Sequence, residues 1–134
     1  MTCQIEGAGI ALFNPEKTHV LLIKDSRNHK WSLPKGGVES FDNSYLDTAI
    51  REMTEETGFI WGIDYILDRN DGQFTHYMIY SGTSFTNNLR FSQCLKEYVA
   101  EIKWIPIQDI HKLHRNFVTL CWERKNINPY LKKI

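Results

Sequence analysis

The sequence predicts a single domain of mixed α and β structure, either α+β or α/β, built around a mixed sheet. Its 134 residues are enough to bury one core. Short apolar runs between turn residues predict strands along most of the chain. Apolar spacings of three and four residues predict one strong internal helix and another helix near the C-terminus. Strands that surround one helix and precede another are typical of these classes.

The predicted strands are separated by residues that favour turns. The segment WSLP is expected to be short and extended, because a residue that precedes proline is displaced from the helical region. Gly36 and Gly37 then predict a turn. The expected strands cover residues 4–13, 19–24, 73–83 and 99–107, and the C-terminal helix runs from about Gln108 into the segment RNFVTLCWERKN.

The internal helix is the best-defined element of the sequence. Any residue from Asp42 to Ser44 can cap its N-terminus. Gly58 is expected to end the helix in a left-handed conformation. Four apolar residues recur at helical spacing and predict a buried stripe, namely Leu46, Ala49, Ile50 and Met53.

The composition is that of a globular protein, with 42% hydrophobic and 24% charged residues. No apolar run is long enough to cross a membrane and the N-terminus does not resemble a signal peptide, so no membrane partner is expected. Cys3, Cys94 and Cys121 are far apart and form no CxxC pair, which argues against a zinc site or a disulfide framework. A reducing, cytoplasmic location is therefore predicted. No motif indicates a protein partner.

Charge is unevenly distributed, although the formal net charge is zero. Residues 39–56 contain six acids and one base, whereas the chain from His111 onward contains six Lys or Arg and one acid. A second basic cluster, KDSRNHKW, precedes the acidic stretch. Acidic and basic patches side by side predict a site that binds cations and a phosphate-rich ligand together.

Glu52, Glu55 and Glu56 are the candidate metal ligands. At positions i, i+3 and i+4 of the helix, their carboxylates share one face, where like charges repel each other by about 0.2–0.5 kcal/mol per pair. A bound cation would relieve that repulsion, and the apolar stripe is expected to occupy a different face. Carboxylates without a Cys or His cluster favour Mg²⁺ or Mn²⁺ over Zn²⁺. Arg51 could orient the carboxylate of Glu52.

Residues 37–59 resemble the box of the Nudix hydrolase family, in which a glycine, a glutamate and the run R-E-U-x-E-E-x-G-U have fixed spacing and U is apolar. The match places Arg51 and the three glutamates in that run. One position departs, because Asn43 stands where the family has its first glutamate. If Gly36 is taken as the box glycine, Asp42 occupies that position, but eight residues then separate it from Arg51.

The resemblance implies one Nudix domain over residues 1–134, with an α/β/α sandwich in which the box helix packs against a mixed central sheet. It implies hydrolysis of a phosphoanhydride bond by water, with more than one Mg²⁺ or Mn²⁺ ion. Glu52 or Glu56 would also accept a proton from water. Glu97, with Glu101 as the alternative, matches the position of a further ligand or base in several members. The implied metal and catalytic residues are Gly37, Arg51, Glu52, Glu55, Glu56 and Glu97.

The segment before the box resembles the diphosphoinositol polyphosphate and dinucleoside polyphosphate hydrolases, which often combine a basic S-R segment with W-x-x-P-K-G-G-V-E. That resemblance implies a highly phosphorylated small molecule as the substrate. The implied substrate contacts are Arg27, Lys30, Lys35, Gly36 and His76. Tyr77 or Phe74 could stack on a base, whereas Trp31 and Trp104 are expected in the core.

Three other functions fit parts of the sequence. The run from Asp42 to Phe59 is also similar to the mRNA-decapping Nudix enzymes, and the basic C-terminal segment could follow the backbone of a capped RNA, although a neutral net charge disfavours RNA. Hydrolysis of damaged nucleoside triphosphates is disfavoured, because those relatives commonly carry P-G-G without the inserted lysine. With Asn43, the domain could also bind nucleotides or inositol phosphates without turnover, but retention of all four charged residues of the run favours catalysis.

Overall fold

A computed structural model describes residues 4–89 and 96–131 of the chain. In chain order, the elements are β1 (Gly7–Phe13), β2 (His19–Asp25), β3 (Trp31–Ser32), β4 (Lys35–Gly37), α1 (Tyr45–Thr57), β5 (Tyr65–Phe74), β6 (Tyr77–Ser84), β7 (Val99–Pro106), a 3₁₀ helix (Ile107–Lys112), α2 (Phe117–Asn126) and α3 (Asn128–Leu131). None of the helices in these residues is long and apolar enough to cross a membrane.

The seven strands of the described residues form one mixed sheet. Its main path has the order β3-β2-β1-β6-β5, while β4 pairs with β1 and β7 pairs with β2. β1 and β6 are parallel, and the other pairs are antiparallel. β1 pairs with β4 at its start and meets β2 at Phe13. The glycine-containing strand β4 is therefore held where β1 and β2 diverge, in contact with α1.

The core lies on both faces of this sheet. One face packs against Ala49 and Met53 of α1, and the other packs against Val118 and Trp122 of α2. β2 lies inside the sheet and contributes side chains to both clusters in alternation, as expected for a strand that is covered on each side. A mixed sheet with helices packed against it confirms the predicted fold class. Trp31 is buried and Trp104 packs against the core, as the sequence predicts.

The internal helix forms where the sequence predicts it. Ser44 caps it by accepting a hydrogen bond from the amide of Asp47, and Gly58 ends it at φ 81° in the left-handed region. The expectation that the apolar stripe and the glutamates occupy separate faces is wrong, however. Glu52 and Glu56 are as buried as Met53, because α1 packs against β1 and β4 along the boundary between its apolar and acidic sides.

Three other segments differ from the sequence prediction. Gly36 and Gly37, expected in a turn, lie in strand β4, which pairs with β1. Residues 73–83 are not one strand, because the chain turns at Thr75, which has a positive φ of 55°, between β5 and β6. The sequence does not predict most of β5, because many of its side chains are polar. Such residues are common on a strand at the edge of a sheet. The predicted C-terminal helix is also interrupted. The 3₁₀ helix ends at Lys112, and Asn116 starts α2 by capping the amide of Thr119.

Candidate active site

A cleft of about 390 Å³ lies between α1, β4 and the segment that follows β2. Most of the site residues predicted from the sequence line this cleft. The cleft is lined by Ile23, Asp25, Arg27, Asn28, Lys30, Ser32, Lys35, Gly36, Gly37, Glu39, Glu52, Glu56, Tyr77, Lys96, Tyr98 and Asn116. Glu52 and Glu56 form its acidic wall. Residues 25–30, which connect β2 to β3 and carry Arg27 and Lys30, form its basic loop.

Glu56 is the more buried member of the acidic wall, with 1% of its surface exposed. The backbone amide of Lys35 donates a hydrogen bond of 2.9 Å to its Oε1. The hydroxyl of Tyr98 donates to its Oε2. Burial and, to a smaller extent, the nearby Glu52 together raise the pKa of Glu56 to about 8. The carboxylate is thus fixed from β4 on one side and from the start of β7 on the other.

Glu52 lies directly against the backbone of Gly36. A Cβ at Gly36 would overlap the Glu52 carboxylate, so only glycine allows this approach. Nη1 of Arg51 donates to Oε1 of Glu52 at 3.0 Å. Oε2 of Glu52 is buried and accepts no hydrogen bond from the described residues. Burial raises the pKa of Glu52, because it penalises the charged form.

Arg51 connects the acidic wall to the loop that precedes α1. Its Nε and Nη2 donate to the two carboxylate oxygens of Asp42, at 3.0 and 2.8 Å. Nη2 also donates to the carbonyl of Gly37 at 3.0 Å. The paired hydrogen bond from Arg51 to Asp42 holds the pKa of Asp42 well below its usual range. Asn43 is exposed. The carboxylate that pairs with Nε and Nη2 of Arg51 is therefore that of Asp42. Asp42 directly precedes Asn43, the position that departs from the family pattern.

Glu55 differs from the other two glutamates, because it does not line the cleft. Its carboxylate accepts a hydrogen bond of 2.9 Å from Nη1 of Arg51 and lies 3.7 Å from Nζ of Lys96. Across the described residues, no group of three His, Cys, Asp or Glu side chains is close enough to hold one metal ion. Arg51 lies between Glu52 and Glu55, and its Nη1 donates a hydrogen bond to each of their carboxylates.

The donor set still fits a divalent cation that prefers oxygen. Mg²⁺ is typically bound by one or two carboxylates and completes its shell with water and substrate phosphates. Glu52 and Glu56 supply two buried carboxylates that line one cleft, and one of the four oxygens has no protein donor. A buried carboxylate oxygen without a partner is costly unless a cation or water is bound to it.

The basic loop holds Arg27 in a defined position. Nε and Nη2 of Arg27 donate to Asp25 at 3.0 and 2.7 Å. Its guanidinium lies 4.0 Å from the ring centroid of Tyr98. On the neighbouring strand, Nζ of Lys35 lies 4.1 Å from the ring centroid of Tyr77. Both tyrosine rings that line the cleft therefore carry a cation.

Besides Arg51 and Glu55, three further residues that the sequence predicted at the site fall outside the cleft lining. His76 is exposed, and its Nδ1 lies 3.1 Å from the carbonyl of Gln4 rather than at the cleft lining. Glu97 is also exposed and does not line the cleft. Phe74 is buried in the core with 7% exposure, so the expectation that it could stack on a base is wrong.

Tyr98 is one of the cleft residues that the sequence analysis missed. Nothing in its spacing distinguishes it from the other aromatic residues, since it contacts Glu56 only through the packing of β7 onto β2. The usable signal was its position, directly after Glu97 and directly before the last predicted strand. Lys96, which faces Glu55, was missed for the same reason.

Known proteins with a similar sequence or fold indicate the family to which this chain belongs. A family model described as the NUDIX domain matches residues 4–121. The m7GpppN-mRNA hydrolase of Saccharomyces cerevisiae is 29% identical over 111 residues, which cover 78% of this chain and 11% of that relative. The chain thus spans only about a tenth of the length of that relative.

Two solved structures share the fold. The NUDIX domain of Shewanella oneidensis NrtR, complexed with ADP ribose, superposes with a TM-score of 0.70 at 18% identity, covering 100% of this chain and 91% of that chain. The Ap4A hydrolase of C. elegans superposes with a TM-score of 0.69 at 19% identity, covering 96% and 100%. At such identities the likeness concerns the fold alone. The predicted resemblance is confirmed by the family model, and the chain belongs to the NUDIX domain family.

Proposed function

We propose that this chain hydrolyses phosphoanhydride bonds in a highly phosphorylated substrate, such as a dinucleoside polyphosphate or a diphosphoinositol polyphosphate, with Mg²⁺ or Mn²⁺. The observation that carries the proposal is the cleft itself, in which the acidic wall faces the basic loop. Consecutive phosphates need both, because divalent cations bridge them to carboxylates while Arg and Lys contact the remaining oxygens. We place this activity in a reducing cytoplasm.

The residues of the chain have separate tasks in this proposal. Arg27, Lys30 and Lys35 bind the phosphate chain and orient the scissile bond. Glu52, with Glu56 as the alternative, accepts a proton from the attacking water, whose oxygen bonds to phosphorus as the bond to the bridging oxygen breaks. Glu52 and Glu56 would hold one or more divalent ions, which neutralise phosphate charge and lower the pKa of the attacking water. Arg51 fixes Glu52 for both tasks. Glu55, Gly37 and Glu97 remain candidate contributors, and their roles depend on contacts with the ions or with substrate.

Recognition through phosphate rather than through a base is favoured by the two cleft tyrosines. The rings of Tyr77 and Tyr98 are each covered by a cation, at 4.1 and 4.0 Å. A nucleobase could stack on either ring only by displacing Lys35 or Arg27. We therefore expect turnover to depend strongly on the number of consecutive phosphates and weakly on the identity of the base.

The test is product analysis with Mg²⁺ and, separately, Mn²⁺ on one panel of substrates. The panel contains diadenosine and diguanosine polyphosphates, a diphosphoinositol polyphosphate, capped RNA and nucleoside triphosphates. Cleavage of the first three, at similar rates for adenosine and guanosine compounds, is expected. Measurable binding without turnover of any compound would contradict the proposal and indicate a binding module.

Capped RNA is the second candidate, because a decapping enzyme of S. cerevisiae is 29% identical over most of this chain. Release of methylated GDP from capped RNA, with the small molecules spared, would replace the first proposal by this one. Cleavage of damaged nucleoside triphosphates alone would instead indicate removal of faulty nucleotides.

A further inference from the structure

Tyr98 makes three different contacts at the centre of the cleft. Its carbonyl accepts a hydrogen bond of 2.7 Å from the amide of Ser26 in the basic loop. Its ring lies 4.0 Å from the guanidinium of Arg27 in the same loop. Its hydroxyl donates to Oε2 of Glu56. The residue therefore connects the basic loop to the acidic wall, two regions that are otherwise carried by different elements.

The hydroxyl contact leaves the Glu56 carboxylate able to bind a cation. A cation binds the ionised form of Glu56, and an ionised carboxylate has about four acceptor positions, two on each oxygen. The Lys35 amide uses a position on Oε1, and Tyr98 uses one on Oε2. Acceptor capacity thus remains on both oxygens. Hydrogen bonds from outside the ligand set fix the rotamer of a ligating carboxylate, and their loss typically costs about 10–100-fold in metal affinity or activity.

We propose that Tyr98 is a positioning residue with two separable roles, its hydroxyl holding Glu56 for a divalent cation and its ring holding Arg27 for the phosphate chain. The cation and phosphate assignments rest on the proposed function. Tyr98 itself need not touch the substrate. Substitutions that remove the hydroxyl alone, or the hydroxyl and the ring together, separate the two roles.

The experiment compares the purified protein with its Tyr98→Phe and Tyr98→Leu variants. Free Mn²⁺ is titrated by electron paramagnetic resonance without substrate, and kcat and KM are then measured on the best substrate at saturating Mg²⁺. Tyr98→Phe is expected to weaken Mn²⁺ binding by about 10–100-fold and to leave KM nearly unchanged. Tyr98→Leu is expected to weaken Mn²⁺ binding equally and also to raise KM. Tyr80→Phe is the matched control, since Tyr80 is on β6 and outside the cleft lining.

Each outcome decides the proposal. Unchanged Mn²⁺ affinity in Tyr98→Phe would overturn the role of the hydroxyl. Equal KM values in the Phe and Leu variants would overturn the role of the ring. If the wild-type protein cleaves nothing on the panel, the proposed function fails, but the Mn²⁺ titration still tests the contact with Glu56. Thermal unfolding of the Phe variant, which keeps the half-buried ring, shows whether any loss is local to the site.

Discussion

The acidic wall and the basic loop face each other across one cleft but are built differently. The side chain of Glu52 is 6% exposed, whereas that of Arg27 is 67% exposed. The two carboxylates of the acidic wall are held by donors from three residues, namely Arg51, Lys35 and Tyr98, and Glu52 also abuts the backbone of Gly36. Arg27 is held by its near neighbour Asp25 and by the ring of Tyr98.

This difference fits the two tasks proposed for the acidic wall and the basic loop. Groups that must meet the reacting atoms need rigid support, and a buried helix against a sheet supplies it. Groups that select a ligand can be carried by a surface loop, where sequence changes are tolerated. Substitutions in the acidic wall should therefore lower kcat, and substitutions in the basic loop should raise KM.

The largest effect is expected from Glu52→Gln, which keeps the shape of the side chain but removes its charge. We expect kcat to fall by about 10²–10⁴-fold, because the variant loses the proposed proton acceptor and a candidate metal ligand. Steady-state kinetics with Mg²⁺ would measure the loss. Glu55→Gln should lose less, since Glu55 faces Arg51 and Lys96 outside the cleft lining. Asp47→Asn, on the exposed side of the same helix, is the control. A larger loss in Glu55→Gln would break the distinction.

The second prediction concerns the two glycines of β4. Gly36→Ala would place a methyl group on the carboxylate of Glu52 and force it to move. A displacement of that size can reduce kcat by about 100-fold. In Gly37→Ala, the nearest atom to the new methyl group is the carbonyl oxygen of Glu6 at 3.8 Å, an ordinary contact. We therefore expect a clearly smaller loss for Gly37→Ala in the same assay. Equal losses would show that β4 tolerates neither change for reasons of folding.

The third prediction concerns Asp42, which holds Arg51 from the loop before α1. Asp42→Asn should lower the free energy of unfolding at pH 7 by about 2 kcal/mol, because a paired, charge-assisted hydrogen bond is lost. The pKa of Asp42 is lowered in the folded state, so its contribution is present above the unfolded pKa of about 3.9 and disappears as the pH falls through the folded value. Urea unfolding at pH 7 and near pH 2.5 should show the difference between the two proteins shrinking.

Asn43 supplies the control for Asp42. Asn43→Ala should change stability by less than about 0.5 kcal/mol, since the residue is exposed. Asn43→Glu should not raise activity greatly, because Asp42 already occupies Nε and Nη2 of Arg51. A large gain in kcat for Asn43→Glu would show that the native site is weakened by the missing glutamate.

The sequence predicted the helix and its charged run more completely than it predicted the cleft around them. Helix α1 could be located because its cap, apolar spacing and terminal glycine are local signals. Glu52 and Glu56 were recognised from spacing, but their burial was not, since burial depends on how α1 packs against β4. The partner of Arg51 could not be decided from the box pattern alone, because the loop between Gly37 and Ser44 determines which side chain reaches it.

Contacts between distant elements explain the remaining differences between the sequence predictions and the structure. Tyr98 donates a hydrogen bond to Glu56, which lies 42 residues away in the sequence, and no periodic pattern predicts such a pair. His76 was expected near the substrate, but the turn between β5 and β6 directs it to the carbonyl of Gln4, while Tyr77 lines the cleft. The role of His76 in substrate binding therefore stays a prediction.

The smallest effect is expected from Arg27→Ala in the basic loop. KM should rise by about tenfold, equivalent to roughly 1.4 kcal/mol of lost phosphate binding, with kcat changed less than twofold. The dependence of KM on salt should also weaken, since an exposed cation is screened by added ions. Lys112→Ala is a suitable control, because Lys112 is exposed and pairs with Asp109 at 3.0 Å outside the cleft. If Arg27→Ala instead lowers kcat and leaves KM unchanged, the basic loop acts on the reacting atoms, and the division between a catalytic wall and a selective loop is wrong.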